Sequence, residues 1–194
     1  MSFFARVARK IASFYAGLSF RCDLPVFHRN FLPSLLPSFG LDGVGAEIGV
    51  ARGDFSAIIL RNSNLRLLYS VDSWSGDRFK NYPIAMNKLS CFKGRSVIMK
   101  NASEDASASI KDASLDFIYI DASHDYEAVL QDLGLWWPKL KKGGIFSGHD
   151  YIDGSFPEGN FGVKKAVDIF LSDKSHGRLF IVPWKWPTWY CVKK

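Results

Sequence analysis

The sequence predicts an α/β fold: a seven-stranded, mostly parallel sheet with helices on both faces and an antiparallel hairpin at the C-terminal end. Three observations carry this prediction. Short apolar runs alternate with stretches of helical periodicity, glycines stand where runs hand over to helices, and the last two runs are joined by a short Pro-Trp connection. Strands are expected at 44–49, 67–72, 96–100, 116–121, 143–148, 178–183 and 188–193, and helices near 54–62, 80–92, 104–110, 125–140 and 162–172. Such alternation requires right-handed crossovers between parallel strands, whereas the final pair reads as a hairpin. The segment 156–162, Phe-Pro-Glu-Gly-Asn-Phe-Gly, reads as a flexible stretch lying over the ends of the strands.

At 194 residues, with 47% hydrophobic and 23% charged residues, the chain is long and apolar enough for one well-packed globular domain. Cys22, Cys91 and Cys191 are odd in number and widely spaced, which excludes a disulfide framework or a paired-cysteine metal site and points to a reducing, cytoplasmic setting. The net charge of +6 is concentrated near the start, where Arg6, Arg9, Lys10, Arg21 and Arg29 face a single acid, Asp23. Residues 1–40 therefore read as an amphipathic basic helix and a proline-punctuated linker, and residues 41–194 as the α/β domain. The helix suits either a cap on the domain or a peripheral contact with an anionic membrane or a partner. No apolar stretch is long enough to span a bilayer.

The chemistry begins at Val44-Gly-Ala-Glu-Ile-Gly-Val-Ala-Arg-Gly-Asp-Phe-Ser56. An apolar strand interrupted by Glu47 runs into a turn bracketed by Gly49 and Gly53, then into an apolar helical pattern. Glycines let a ligand approach the backbone, and the N–H groups opening the helix favour an anionic group. The next strand ends at Asp72, the position at which Rossmann-like folds hold a ribose diol. A dinucleotide would need glycines where Ala51 and Asp54 stand, so the loop fits a ligand without pyrophosphate, such as S-adenosylmethionine, better than a nicotinamide dinucleotide.

Two further strand ends carry reactive groups. Leu115-Asp-Phe-Ile-Tyr-Ile-Asp-Ala-Ser-His124 leads to Asp121 and His124, and the strand after Gly143-Gly144 leads to His149 and Asp150. Ligands of open α/β sheets bind beyond the carboxyl ends of strands, so these side chains should share a crevice with Gly49 and Asp72. His124 suits a general base. Asp121 and Asp150 offer oxygens to a hard cation such as magnesium, and coordination by His149 would favour manganese or iron. Trp136 and Trp137 read as core, while Trp184 and Trp186, in the hairpin connection, are candidates for stacking on an acceptor.

Together these four segments resemble class I S-adenosylmethionine-dependent methyltransferases over residues 44–170. More narrowly, they resemble the small O-methyltransferases that include macrolide-sugar methyltransferases and are related to catechol O-methyltransferases. The resemblance implies that Glu47 and Gly49, with Gly53 closing the turn, contact the methionine end of the cofactor and that Asp72 binds its ribose. It implies that Ser103 and Glu104 flank the adenine, that Asp121 is a catalytic residue that touches the cofactor and lies on the metal or substrate side, that His124 is the base, and that Asp150 is the second metal carboxylate. His149-Asp150 stands where metal-dependent relatives carry two acidic or amide residues. The expected reaction is methyl transfer to a hydroxyl of a small molecule, sugar or glycan. A nucleic-acid methyltransferase is the weaker alternative, because the aromatic-plus-proline motif of amino-directed enzymes is missing after the fourth strand; a non-catalytic binding module is the other.

Overall fold

The structure, a computed structural model, describes residues 28–194, so the basic helix expected at the start of the chain lies outside the described residues. Strands β1 (Val44–Ile48), β2 (Leu67–Asp72), β3 (Ser96–Lys100), β4 (Leu115–Ile120), β5 (Leu140–Gly148), β8 (Phe180–Val182) and β9 (Thr188–Val192) form a seven-stranded sheet in the order β3-β2-β1-β4-β5-β9-β8. The first five are parallel, and β9 runs antiparallel to both β5 and β8. Helices α1 (Asp54–Asn62), α2 (Tyr82–Leu89), α3 (Ser103–Ala108), α4 (Tyr126–Trp136) and α5 (Val163–Leu171) complete the predicted alternation.

Alternation of side chains along the strands builds two cores. Ala46 and Ile48 of β1, with Ile118 and Ile120 of β4, pack beneath Val129, Leu133 and Ala166 of α4 and α5. On the other face Phe117 and Tyr119 of β4 pack with Phe55, Ile59 and Leu60 of α1. The whole of β4 is buried, as the apolar run Phe117–Ile120 requires of a strand covered on both sides, and Asp116 at its start is paired with Lys141. Because β2 and β3 lie on one side of β1 and β4 and β5 on the other, the order of strand addition reverses between β1 and β4. A crevice opens there beyond the strand ends.

Three segments differ from their sequence reading. The part of the proline-punctuated linker from Arg29–Phe39 is a 3-10 helix containing Pro33 and Pro37, with Leu32 and Leu36 fully buried against the α1 side of the sheet. His28 caps its start, its Nδ1 accepting from the Asn30 N–H at 3.1 Å. The segment over the site is a regular hairpin, β6 (Asp153–Phe156) paired with β7 (Gly159–Gly162). The helix expected near 80–92 is broken into a 3-10 turn at Gly76–Asn81, then α2, then a second turn at Ser90–Phe92. Among the described residues no helix is long and apolar enough to cross a membrane.

Candidate active site

The cofactor end of the crevice is built by a loop with little freedom to be otherwise. Gly49 has φ +92°, and a Cβ on it would fall 2.0 Å from the Asp121 carbonyl oxygen. Gly53, at φ +75°, opens α1. Between them the loop is clasped by Asp72: Oδ2 accepts from the N–H groups of Val50 at 3.0 Å and Ala51 at 2.8 Å, while Oδ1 accepts from the Trp74 N–H at 2.8 Å. Trp74 returns a hydrogen bond from its indole to the Ala51 carbonyl at 2.7 Å. Asp72 thus shapes the cradle as well as bordering it, and Oδ1 keeps lone-pair capacity for a ligand hydroxyl.

A cavity of about 220 Å³ lies beside this loop, lined by Gly49, Asp72, Ser73, Arg78, Asn101 and Ser103 among others. The Ser103 hydroxyl donates to Asp132 and accepts from the Trp136 indole N–H at 2.9 Å. With its proton committed, Ser103 can only accept from a ligand, which suits an amino group on a base. Burial, opposed by the bond from Ser103, pushes the Asp132 carboxyl up to about 6. Glu104 does not join Ser103: it is exposed, bonded to Gln131, and outside the cavity lining, where Asn101 and Arg78 stand instead.

Glu47 is also displaced from its expected role. It projects to the α1 face of β1, fully buried, where Ser56 donates to its carboxylate and Ser70 donates to Ser56 at 3.1 Å. Desolvation pushes Glu47 up to about 8, against the bond from Ser56. The folded protein therefore keeps a proton that the unfolded chain releases above about pH 4.5, so stability falls as pH rises from 4.5 toward 8. Glu47→Gln is expected to remove this dependence and stabilise the protein at pH 8 by about 2 kcal/mol, or roughly 4–8 °C in Tm, with little gain at pH 4.5. Thermal melts at the two pH values check it, and equal gains at both would contradict the assignment.

At the other end of the crevice the acidic and histidine side chains do converge. His124 Nε2 lies 2.9 Å from Asp150 Oδ2, and His149 Nδ1 lies 3.1 Å from Asp150 Oδ1 and 3.7 Å from Asp121 Oδ1. Burial alone would raise Asp150, but the hydrogen bonds from His124 and His149 prevail and hold it at about 2. Asp121 is pushed up to about 6, by desolvation first and by the Asp150 charge against the pull of His149 and Arg29. The bond to Asp150 raises His124 above its usual 6.5 despite partial burial. Donor atoms of Asp121, His124 and Asp150 all lie within 4.8 Å of one another, an arrangement able to hold a metal ion. His149, expected among the ligands, instead braces Asp150 from beside this group.

Phe161, Phe156 and Arg29 around this cluster, and Ser56 beside Glu47, were not singled out as site residues in the sequence. The His124 ring lies flat on Phe161 of the β6–β7 hairpin, with centroids 4.2 Å apart and planes at 10°. Phe161 in turn stacks on Trp186 at 5.3 Å, and Phe156 meets both rings edge-on. Ser56 needed the fold to bring it to Glu47. Arg29, at the start of the 3-10 helix, places Nη1 3.5 Å from Asp121 Oδ2.

A glycine cradle clasped by the acid of β2, opening at the switch point of this sheet, defines the architecture of a class I S-adenosylmethionine-dependent methyltransferase. A family described as "Methyltransferase domain" matches residues 46–151, more than half of the chain. The chain belongs to this methyltransferase family. The uncharacterized protein R132 of Acanthamoeba polyphaga mimivirus is 26% identical over 78% of this chain and 71% of its own length. Among solved structures, an O-methyltransferase from Bacillus cereus in complex with SAH is similar, with TM-score 0.63 and 17% identity over 100% of this chain and 92% of that one. A putative caffeoyl-CoA O-methyltransferase from Staphylococcus aureus matches with TM-score 0.67 and 15% identity over 100% and 93%. An rRNA methylase from Streptococcus thermophilus gives 0.64 and 12% over 88% and 97%, so the shared fold alone does not select the acceptor.

Proposed function

We propose that this chain transfers the methyl group of S-adenosylmethionine to a hydroxyl oxygen of a small molecule, sugar or glycan, with His124 as the base. The observation that carries this reading is the His124–Asp150 pair, 2.9 Å apart, standing beside Asp121 at the open end of the cofactor crevice. A neutral His124 that donates from Nε2 to Asp150 presents its Nδ1 lone pair to an incoming proton. An alcohol needs that service, because its oxygen is a weak nucleophile while protonated. The acceptor oxygen then forms a bond to the methyl carbon as the carbon–sulfur bond breaks, sulfur keeps the electron pair, and the hydroxyl proton passes to His124. Positioning supplies much of the rate in such an in-line displacement.

The donor set fits this ligand: Asp72 for ribose hydroxyls, Ser103 for an adenine amino group, and the Gly49 loop for close approach of the chain between them. Asp121 and Asp150 would hold a divalent cation beside His124, which stays the base, and the cation would acidify a bound hydroxyl. The Phe161–Trp186 stack favours a sugar or planar ring over a flexible aliphatic alcohol. The test is to offer the protein S-adenosylmethionine with catechols, glycosides or RNA, before and after metal removal, following S-adenosylhomocysteine release and locating the methyl by mass spectrometry. An oxygen-methylated catechol or glycoside is expected. Methylation confined to RNA or to amines would overturn the reading.

A further inference from the structure

Arg29 stands outside every role described so far, yet it reaches the centre of the site. Asp121 presents its two oxygens in different directions: Oδ1 toward His149, at 3.7 Å, and Oδ2 toward Arg29, at 3.5 Å. His149 belongs with His124 and Asp150 on the β5 side, where the base and the metal-type donors gather. Arg29 lies on the α1 side, its guanidinium 5.0 Å from the centroid of the Phe55 ring. Its side chain is 32% exposed, and 3.5 Å is too long for a well-formed hydrogen bond to Asp121. Of five fixed donors, some therefore remain available.

A cation and an anion held side by side match an α-amino acid, whose ammonium and carboxylate are separated by a single carbon. We propose that Arg29 binds the carboxylate of the methionine end of S-adenosylmethionine while Asp121 Oδ2 takes the neighbouring ammonium. The proposal rests on the S-adenosylmethionine reading above and adds a residue from the N-terminal segment to it. Glu47, the other acid nearby, is engaged by Ser56 and leaves Asp121 as the partner for the ammonium. A planar guanidinium can meet a carboxylate with two parallel hydrogen bonds, and the Phe55 ring limits its sideways movement.

The experiment compares two ligands by calorimetry: S-adenosylhomocysteine and S-adenosyl-3-thiopropylamine, the same molecule without its carboxylate. Wild-type protein is expected to bind the first roughly tenfold to a hundredfold more tightly. Arg29→Met should weaken S-adenosylhomocysteine by the same factor and leave the decarboxylated ligand unaffected, closing the cycle. Arg29→Lys, which keeps the charge without the paired geometry, should fall between and serves if Arg29→Met fails to fold. Equal weakening of both ligands, or of neither, would overturn the Arg29 assignment while leaving the cofactor reading intact. Wild-type protein that binds neither ligand would sink both.

Discussion

His124→Ala is expected to lower kcat by about 10²–10⁴-fold while leaving S-adenosylhomocysteine affinity unchanged, because the side chain does not line the cavity beside the Gly49 loop. The substitution removes the flat contact with Phe161 and one of the two hydrogen bonds to buried Asp150. Asp150 keeps the bond from His149 at 3.1 Å, so its carboxylate is not left unpaired and the loss should fall on turnover more than on folding. The pH profile separates the base from a bystander. A base must be deprotonated to act, and Asp150 raises His124 above 6.5, so the wild-type rate should climb with pH through a midpoint above that value and then level off. His124→Ala should lose this rise along with the rate. Unchanged turnover, or an intact alkaline rise in the variant, would remove His124 from the mechanism.

How far the sequence revealed the molecule depends on whether a residue's role was local. Strands β2, β4 and β5 were legible because their central stretches, buried on both faces, are apolar, and Asp72, Asp121 and Asp150 stand at or just beyond their ends. The β6–β7 hairpin was not, since Asp153–Gly162 is mostly exposed and rich in glycine, without the alternation that marks a half-buried strand. The Arg29–Phe39 helix was hidden by Pro33 and Pro37, which argue against an α-helix but are accommodated in this 3-10 helix. Its signal was the spacing of Leu32 and Leu36, a buried pair each followed directly by a proline. Arg29 read as one of many basic residues until that helix carried it to Asp121. Glu47 drew attention as a carboxylate near a glycine turn, but the two-residue period of a strand turns it to the α1 face, away from the side occupied by Ile48.

Gly49→Ala is expected to cost more than about 4 kcal/mol in stability and to abolish cofactor binding, whereas Gly76→Ala should cost about 1 kcal/mol and leave binding intact. Both glycines adopt positive φ, +92° and +55°, so both substitutions carry backbone strain. They differ in what the added methyl meets. At Gly76 nothing lies within 4 Å, while at Gly49 the new carbon would sit 2.0 Å from the Asp121 carbonyl oxygen and 2.6 Å from the Ala122 Cα. Those are backbone atoms of the adjoining chain, held by the Asp121 N–H bond to the Ile48 carbonyl at 2.7 Å, and no side-chain rotation can relieve them. β1 and β4 would have to part where the order of the sheet reverses, moving the Gly49 loop and Asp121 together. Urea denaturation of the two variants, with S-adenosylhomocysteine binding measured on each, checks this; equal costs at the two positions would show that strain, and not the close approach of β1 to β4, sets the demand for glycine at 49.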